Sequence, residues 1–318
     1  MAQFERDGRL WAITSYFNPS GYRNRLENYR LFREHLAVPL VTVEWAHDGC
    51  FALGPEDADV LVQVSGGDVL WQKERLLNVA LRHLPDECDS VAWLDCDVIF
   101  PDGTWPVLAR EALRRDPVLH LYSERHDPPR EADPEQLANW DRPAIATSHV
   151  YSFACGYVTP DDLTNPESMR DVKTTTGLAW AARRDLLAQH GFYDARILGG
   201  GDRAMLCAML GLFDSLIQVV SMNPPMRAHY RRWAEPFFDA VRGRVGYVPG
   251  RVFHLWHGDL RHRRYGDRYR TREFLDFDPG ADIAIDDSGC WRWSSDKPDL
   301  HEYVHNYFDQ RREDDGDG

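Results

Sequence analysis

The amino-acid sequence predicts an α/β protein built on a doubly wound, mostly parallel central sheet with flanking helices. Three observations lead there. Through the first 120 residues, β-branched and apolar runs alternate with helical stretches, the pattern of successive βαβ units. The chain has 318 residues, 43% of them apolar, which suffices for one large core and excludes a disordered or fibrous chain. A short buried run, Val91–Leu94, ends directly on paired acids. Sheets of this type hold ligands at the carboxyl ends of their strands.

The elements follow in order. Leu10–Tyr16 is an apolar run ended by Asn18, Pro19, Ser20 and Gly21. Tyr22–Leu36 has helical spacing in Leu26, Tyr29, Phe32 and Leu36. Val38–Trp45 and Asp59–Val64 are strands, the second closed by Ser65, Gly66 and Gly67. Lys73–Leu84 is a helix, Val91–Leu94 a buried strand, Thr104–Arg115 a helix and Val118–Tyr122 extended. Residues 125–143 are rich in Pro, Asp and Glu and show no period, which suggests a lid or binding loop. Ala144–Val158 and Val172–Ala182 read as extended, and Arg183–Gln189 as a short helix closed by Gly191. Gly199–Asp202 opens a helix that runs through Leu212. Val252–Trp256 is a strand, and Arg261–Leu275 a basic helix or turn. The remainder is acidic and aromatic, and Glu313–Gly318 reads as disordered. No repeat or linker divides the chain, so one domain over residues 1–275 with a C-terminal extension over 276–318 is expected.

The net charge of −14 argues against coating nucleic acid through bulk charge. The charge is uneven, however, since residues 225–272 hold twelve arginines against four acids. That segment suggests an anion site or a solvated basic face. The six cysteines form no CxxC and no metal or disulfide framework, so they read as reduced thiols of a cytoplasmic protein. No apolar stretch approaches the ~18–20 residues of a membrane span, and the N-terminus shows no signal-like apolar region.

Three constellations carry chemistry. Asp95 and Asp97 follow a buried strand; two carboxylates at i and i+2 can share one divalent cation, although acids also commonly end strands. His254 and His257 stand three apart, on opposite faces of an ideal strand. A turn from Trp256, favoured by Gly258, would bring both imidazoles to one ion, and together with the acids they make a mixed O/N shell suited to Mn²⁺. Either histidine read alone is equally a structural residue. Gly199, Gly200 and Gly201 precede Asp202 at a helix start, where glycines permit close backbone approach to a ligand. Asp202 is then a helix N-cap or a general base in a cleft.

Six segments together resemble the β-1,4-galactosyltransferase family. Residues 22–29 (YRNRLENY) are similar to its FRNRxEH segment, and residues 67–79 (GDVLWQKERLLNV) to its GDxxFNRAKLLNV. Residues 91–100 resemble its strand and DVD motif, and Thr176–Ala181 with Gly191–Phe192 its GGVSAL and NGF stretches. Gly199–Asp202 resembles its GWGGED, and His254–His257 its metal-binding MxxH or HxH element. The segments keep the family order over roughly residues 10–258. The resemblance implies a GT-A fold and a glycosyltransferase that uses a UDP-sugar with Mn²⁺ or Mg²⁺. It implies that Arg23 and Arg25 meet the base and phosphates, that Trp71 stacks on uracil and that Lys73 stands near phosphate. It further implies that Asp95 faces the ribose or donor sugar, that Asp97, His254 and His257 bind the metal, and that Asp202 is the base of an inverting transfer. On their own residue types, Arg23, Arg25 and Lys73 also read as exposed helix charges and Trp71 as a core anchor.

The chain departs from the family on the acceptor side. Ile197 and Leu198 replace the acceptor-stacking Trp, Gly201 replaces a Glu and Arg203 an acid. The family acceptor therefore does not transfer, the family membrane anchor is not seen, and nothing beyond Asp259 has a counterpart. Two other functions compete. A sugar-phosphate nucleotidylyltransferase would need a Gly-rich basic loop after the first strand, where Asn18–Tyr22 offers one Gly and a Pro. A nucleic-acid or glycan-binding module would use the Arg-rich segment with Tyr230, Trp233, Tyr265 and Tyr269.

Overall fold

A computed structural model describes residues 9–165, 173–264 and 268–314. The expected features at Val172, Tyr265 and residues 315–318 lie outside these, as does most of the polar N-terminal stretch. Seven strands form the central sheet: β1 (Leu10–Phe17), β2 (Leu40–Trp45), β3 (Val60–Val64), β4 (Ser90–Leu94), β6 (Val118–His120), β10 (Ala179–Arg183) and β11 (Val245–Tyr247). Their order is β11-β6-β10-β4-β1-β2-β3, and only β10 runs against the rest. A second sheet, in the order β5-β12-β7-β8-β9, joins β5 (Val98–Ile99), β7 (Glu124–His126), β8 (Ala146–Ser148), β9 (Thr174–Thr175) and β12 (Arg251–His254).

Alternation along the central strands makes two cores. Ile13, Val91 and Trp93 face one side of the sheet, while Ala12, Ala92 and Leu94 face the other. Helices α1 (Arg23–Glu34) and α3 (Trp105–Ala112) cover the second side through Tyr29, Phe32, Trp105 and Ala109. The first is covered by α2 (Lys73–Ala80), α5 (Arg184–His190), α6 (Gly201–Leu210), α7 (Phe213–Val219), α8 (Pro224–Val241) and α9 (Pro298–Asp309). The sheet is thus doubly wound, as its unbroken apolar strands require. Among the described residues no helix is long and apolar enough to cross a membrane.

Several elements differ from expectation. Ala144–Val158 is extended only over β8; Ser148 Oγ then accepts from Tyr151 N and starts helix α4 (His149–Ala154). Residues 125–143 are not structureless, because they contribute β7 and a 3₁₀ turn, Pro134–Asn139, whose Leu137 is buried. The Arg-rich segment contains α8, capped by the Asn223 side chain with Pro224 and Pro225 in its first turn. Its Tyr230 is fully buried with its hydroxyl on the Ala204 carbonyl, and Trp233 Nε1 donates to His190 O. Those two rings serve the core and are not base-stacking platforms.

The extension packs into the same core. A hairpin of β13 (Ile283–Ile285) and β14 (Trp291–Trp293), with α9 behind it, buries Phe277, Cys290, Val304 and Phe308. Glu313, expected to be disordered, is 1% exposed. Asp314 takes the place of an N-cap for α1, which has none of its own: its carboxylate accepts from Arg23 N and Asn24 N at 2.9 and 2.8 Å.

Candidate active site

The carboxyl ends of β1 and β4, the start of α2, the loop between β9 and β10, the start of α6 and the end of β12 surround a cavity of about 650 Å³. Asp95, Asp97, Trp71, Lys73, Arg25, Asp202, His254 and His257 all line it. Arg23 does not reach it. The Arg23 side chain is 77% exposed and pairs with Glu27 one helical turn on.

The acids and histidines meet because β5, which directly follows Asp97, pairs with β12 so that His254 lies opposite Val98. Past His254 the chain leaves the strand and turns, with Leu255 N donating to Asp97 O at 2.8 Å. Asn24 and Asn28 of α1 donate to the Trp256 carbonyl and fix that turn. His257 Nε2 then lies 3.5 Å from one Asp97 oxygen and His254 Nε2 3.9 Å from the other. One ligand atom from each of the three lies within 4.8 Å of the others.

This group fits a divalent cation. His257 Nδ1 is engaged by the Leu255 carbonyl at 2.9 Å, which leaves the Nε2 lone pair facing Asp97. Burial, then Arg263 and His254, holds His257 well below the usual imidazole range, hence neutral as a ligand must be. Asp97 Oδ1 is buried with no hydrogen-bond partner, and burial raises the Asp97 carboxyl against the pull of His254. A bound cation would remove that cost. On the outer side of His254, Asp127 Oδ1 lies 3.7 Å from Nδ1 and Arg125 donates to Asp127. Arg125 Nη2 also reaches His254 Nδ1 at 3.2 Å and can only donate, so a cation at Nε2, which needs the proton on Nδ1, requires that guanidinium to give way to Asp127 as the Nδ1 partner.

Lys73 joins two further carboxylates. Its ammonium lies 2.5 Å from Asp95 Oδ1 and 3.1 Å from Asp202 Oδ2. Burial pushes Lys73 down, but Asp202 and Asp95 outweigh it and hold the amine well above its ordinary value. Burial raises Asp202, opposed by Lys73. Asp202 is not a cap: Gly200 holds the N-cap position of α6 with φ of +95°, and the Asp202 carboxylate turns from the first helical turn toward Lys73.

The three glycines are explained by the protein itself. A Cβ on Gly199 would stand 3.1 Å from the Trp71 ring, one on Gly200 3.3 Å from Arg268, and one on Gly201 2.3 Å from Glu74 Oε1. Gly199 and Gly200 also need their positive φ. Glu74 carried no signal in the sequence; burial lifts its carboxyl to about 8, and its Oε2 has no partner.

The C-terminal residues give Trp71 and Arg25 different surroundings from those expected. The Trp71 ring lies between Gly199 and a layer of Phe308, stacked at 6.3 Å, and Arg311, whose guanidinium is 5.1 Å from the ring centre. Arg25 donates to both carboxylate oxygens of Glu313 and to Phe17 O. All three of its nitrogens are therefore committed within the chain, where the sequence suggested a grip on base or phosphate. These contacts span almost the whole chain and leave no local trace in the sequence.

No protein-family model matches this chain, and no curated protein does. Among solved structures, it is similar to a Drosophila β-1,4-galactosyltransferase 7 variant in complex with manganese, UDP-Gal and xylobiose. That match has 11% identity and a TM-score of 0.41, over 93% of this chain and 98% of that one. A Staphylococcus aureus TarS structure in complex with UDP-GlcNAc matches 63% of this chain with 13% identity and a TM-score of 0.35. This chain spans about half, 52%, of that structure. A 4-diphosphocytidyl-2C-methyl-D-erythritol synthase from Anaerococcus prevotii matches 77% of this chain and 90% of its own, at 12% identity and a TM-score of 0.33. Overlaps this loose carry no argument about ligands or reaction.

Proposed function

We propose that the protein is a metal-dependent glycosyltransferase of GT-A fold that moves a sugar from a UDP-sugar to an acceptor hydroxyl. The observation that carries this reading is the lining of one cavity, at the carboxyl ends of parallel strands, by both the Asp97, His254 and His257 group and the Asp202 carboxylate. Transfer from a nucleoside diphosphate sugar needs charge to offset the leaving diphosphate and a base for the acceptor hydroxyl. A Mn²⁺ or Mg²⁺ held by Asp97, His254 and His257 would supply Lewis acidity toward that diphosphate. Lys73 adds a fixed positive charge beside Asp95, which faces the donor ribose or sugar. Asp202 takes the proton from the acceptor hydroxyl, and attack opposite the leaving group inverts the anomeric carbon. Trp71 also lines the cavity, but its ring faces are taken up by Gly199 and by Phe308 with Arg311, so it is not proposed as a stacking platform for uracil.

Nucleotidyl transfer fits less well. The turn after β1 closes on itself, with Asn18 Oδ1 accepting from Tyr22 N and Asn18 Nδ2 donating to Tyr22 O, and presents no basic phosphate cradle. The test is a donor screen with UDP-Glc, UDP-Gal and UDP-GlcNAc in Mn²⁺, read as the released product. Free UDP from at least one donor is expected. Pyrophosphate release from a sugar phosphate and UTP, with no UDP from any donor, would replace transfer by nucleotidylation.

A further inference from the structure

The far wall of the cavity carries positive charge that the donor chemistry does not use. Arg196 is 4% exposed, lines the cavity, and has Nε and Nη1 buried without a hydrogen-bond partner. Its guanidinium lies flat over the Tyr269 ring at 3.8 Å, and Tyr269 is fixed by Leu198 N and Gly199 O. Arg203, directly after Asp202, lines the same wall. Among the described residues neither the Arg196 nor the Arg203 side chain has a hydrogen bond or an ion pair, although the Arg196 carbonyl accepts from Gly199 N. Arg268, tied to the Tyr307 hydroxyl at 2.9 Å, converges with Arg196 on Gly200, where a Cβ would meet the two guanidiniums at 3.3 and 3.7 Å. Arg203 feels this crowding: burial lowers its pKa, and Arg268 and Arg196 lower it further against Cys207.

Buried guanidiniums without carboxylate partners are costly unless an anion joins them. That anion is not the donor diphosphate if the donor lies at the metal group. Asp97, His254 and His257 stand where β4 leads into β5 and where β12 ends, whereas Arg196 and Arg203 flank the Gly199–Gly201 turn and the start of α6. Lys73 joins Asp95, two residues before Asp97, to Asp202, and Arg203 follows Asp202 in α6. An anion at Arg196 and Arg203 would therefore belong to the molecule whose hydroxyl Asp202 deprotonates.

Resting on the glycosyltransferase reading, we propose that the acceptor is a phosphorylated molecule whose phosphate is held by Arg196 and Arg203 on the side of Asp202 away from the metal group. A phosphate carries up to two charges and three acceptor oxygens, which matches a pair of guanidinium forks better than a single carboxylate does.

The test titrates methyl phosphate calorimetrically into the wild type saturated with UDP and Mg²⁺, with acetate as a second probe. Methyl phosphate is expected to bind alongside UDP and more tightly than acetate. Arg196→Gln and Arg203→Gln should each weaken it about tenfold or more, the loss expected for a charged hydrogen bond, with UDP affinity unchanged. Should Arg196→Gln fail to fold, Arg203→Gln, at a half-buried position, decides the matter. Competition between methyl phosphate and UDP, equal binding of acetate, or unchanged binding in the variants would overturn the inference. UDP titrated alone reports separately on the glycosyltransferase reading, so intact UDP binding with no phosphate binding removes only the acceptor assignment.

Discussion

Asp202→Asn should bind a UDP-sugar as tightly as the wild type and lose about 10²–10⁴ in turnover, the range for loss of a general base. The substitution keeps the side-chain shape and leaves an oxygen to accept from Lys73, which also retains Asp95 at 2.5 Å. What it removes is the capacity to take a proton. Asp202 lies in the first turn of α6 and not at its N-cap, so the variant loses a favourable charge at a helix N-terminus, about 0.3–1 kcal/mol, together with one of the two carboxylates paired with the buried Lys73 ammonium. Rate and stability therefore separate the two roles. Turnover near that of the wild type, measured as UDP release with saturating donor and acceptor, would reject Asp202 as the base. An α-linked product from an α-linked donor would reject inversion.

Glu313→Ala should destabilise the fold by about 3–5 kcal/mol at neutral pH, because it leaves two buried guanidiniums without their shared partner. Glu313 is 1% exposed and receives Arg25 on both oxygens and Arg311 Nε at 2.5 Å. Burial raises its carboxyl, but Arg25 and Arg311 reverse this and bring it from the ordinary 4.5 to about 2. A depressed folded value stabilises the protein wherever the unfolded carboxyl is ionised. The contribution, about 3 kcal/mol, is complete above pH ~5 and fades as pH falls toward about 2. Urea unfolding at pH 7 should show the full gap between variant and wild type, and at pH 3 a smaller one. An unchanged midpoint at pH 7 would show that the C-terminal segment does not brace α1 and Trp71.

The strands were legible because alternating and continuous apolar runs have few other meanings in a chain of this composition. Both halves of the Asp97, His254 and His257 cluster could be read as polar pairs ending strands, although only the β5–β12 pairing puts them within reach of one another. Other features followed from contacts that no local pattern encodes. Helix α8 holds Pro236 in its interior, a residue that ordinarily ends a helix. The glycine triplet suggested ligand approach, and the structure spends it on Trp71, Arg268 and Glu74. Arg25 looked available for a nucleotide because its partner, Glu313, lies 288 residues away. Arg196 precedes two core residues, Ile197 and Leu198, and nothing beside it signals that a charged side chain is buried there unpaired.

The metal-dependent donor site is tested most directly by titrating UDP calorimetrically into the wild type and Asp97→Ala, each with Mn²⁺ and with a chelator. Binding is predicted only for the wild type with Mn²⁺, and a loss of more than about 100-fold in Asp97→Ala, since even outer-shell changes at metal sites cost 10–100-fold. UDP affinity that is the same with and without metal, or the same in both proteins, would contradict the assignment of Asp97, His254 and His257.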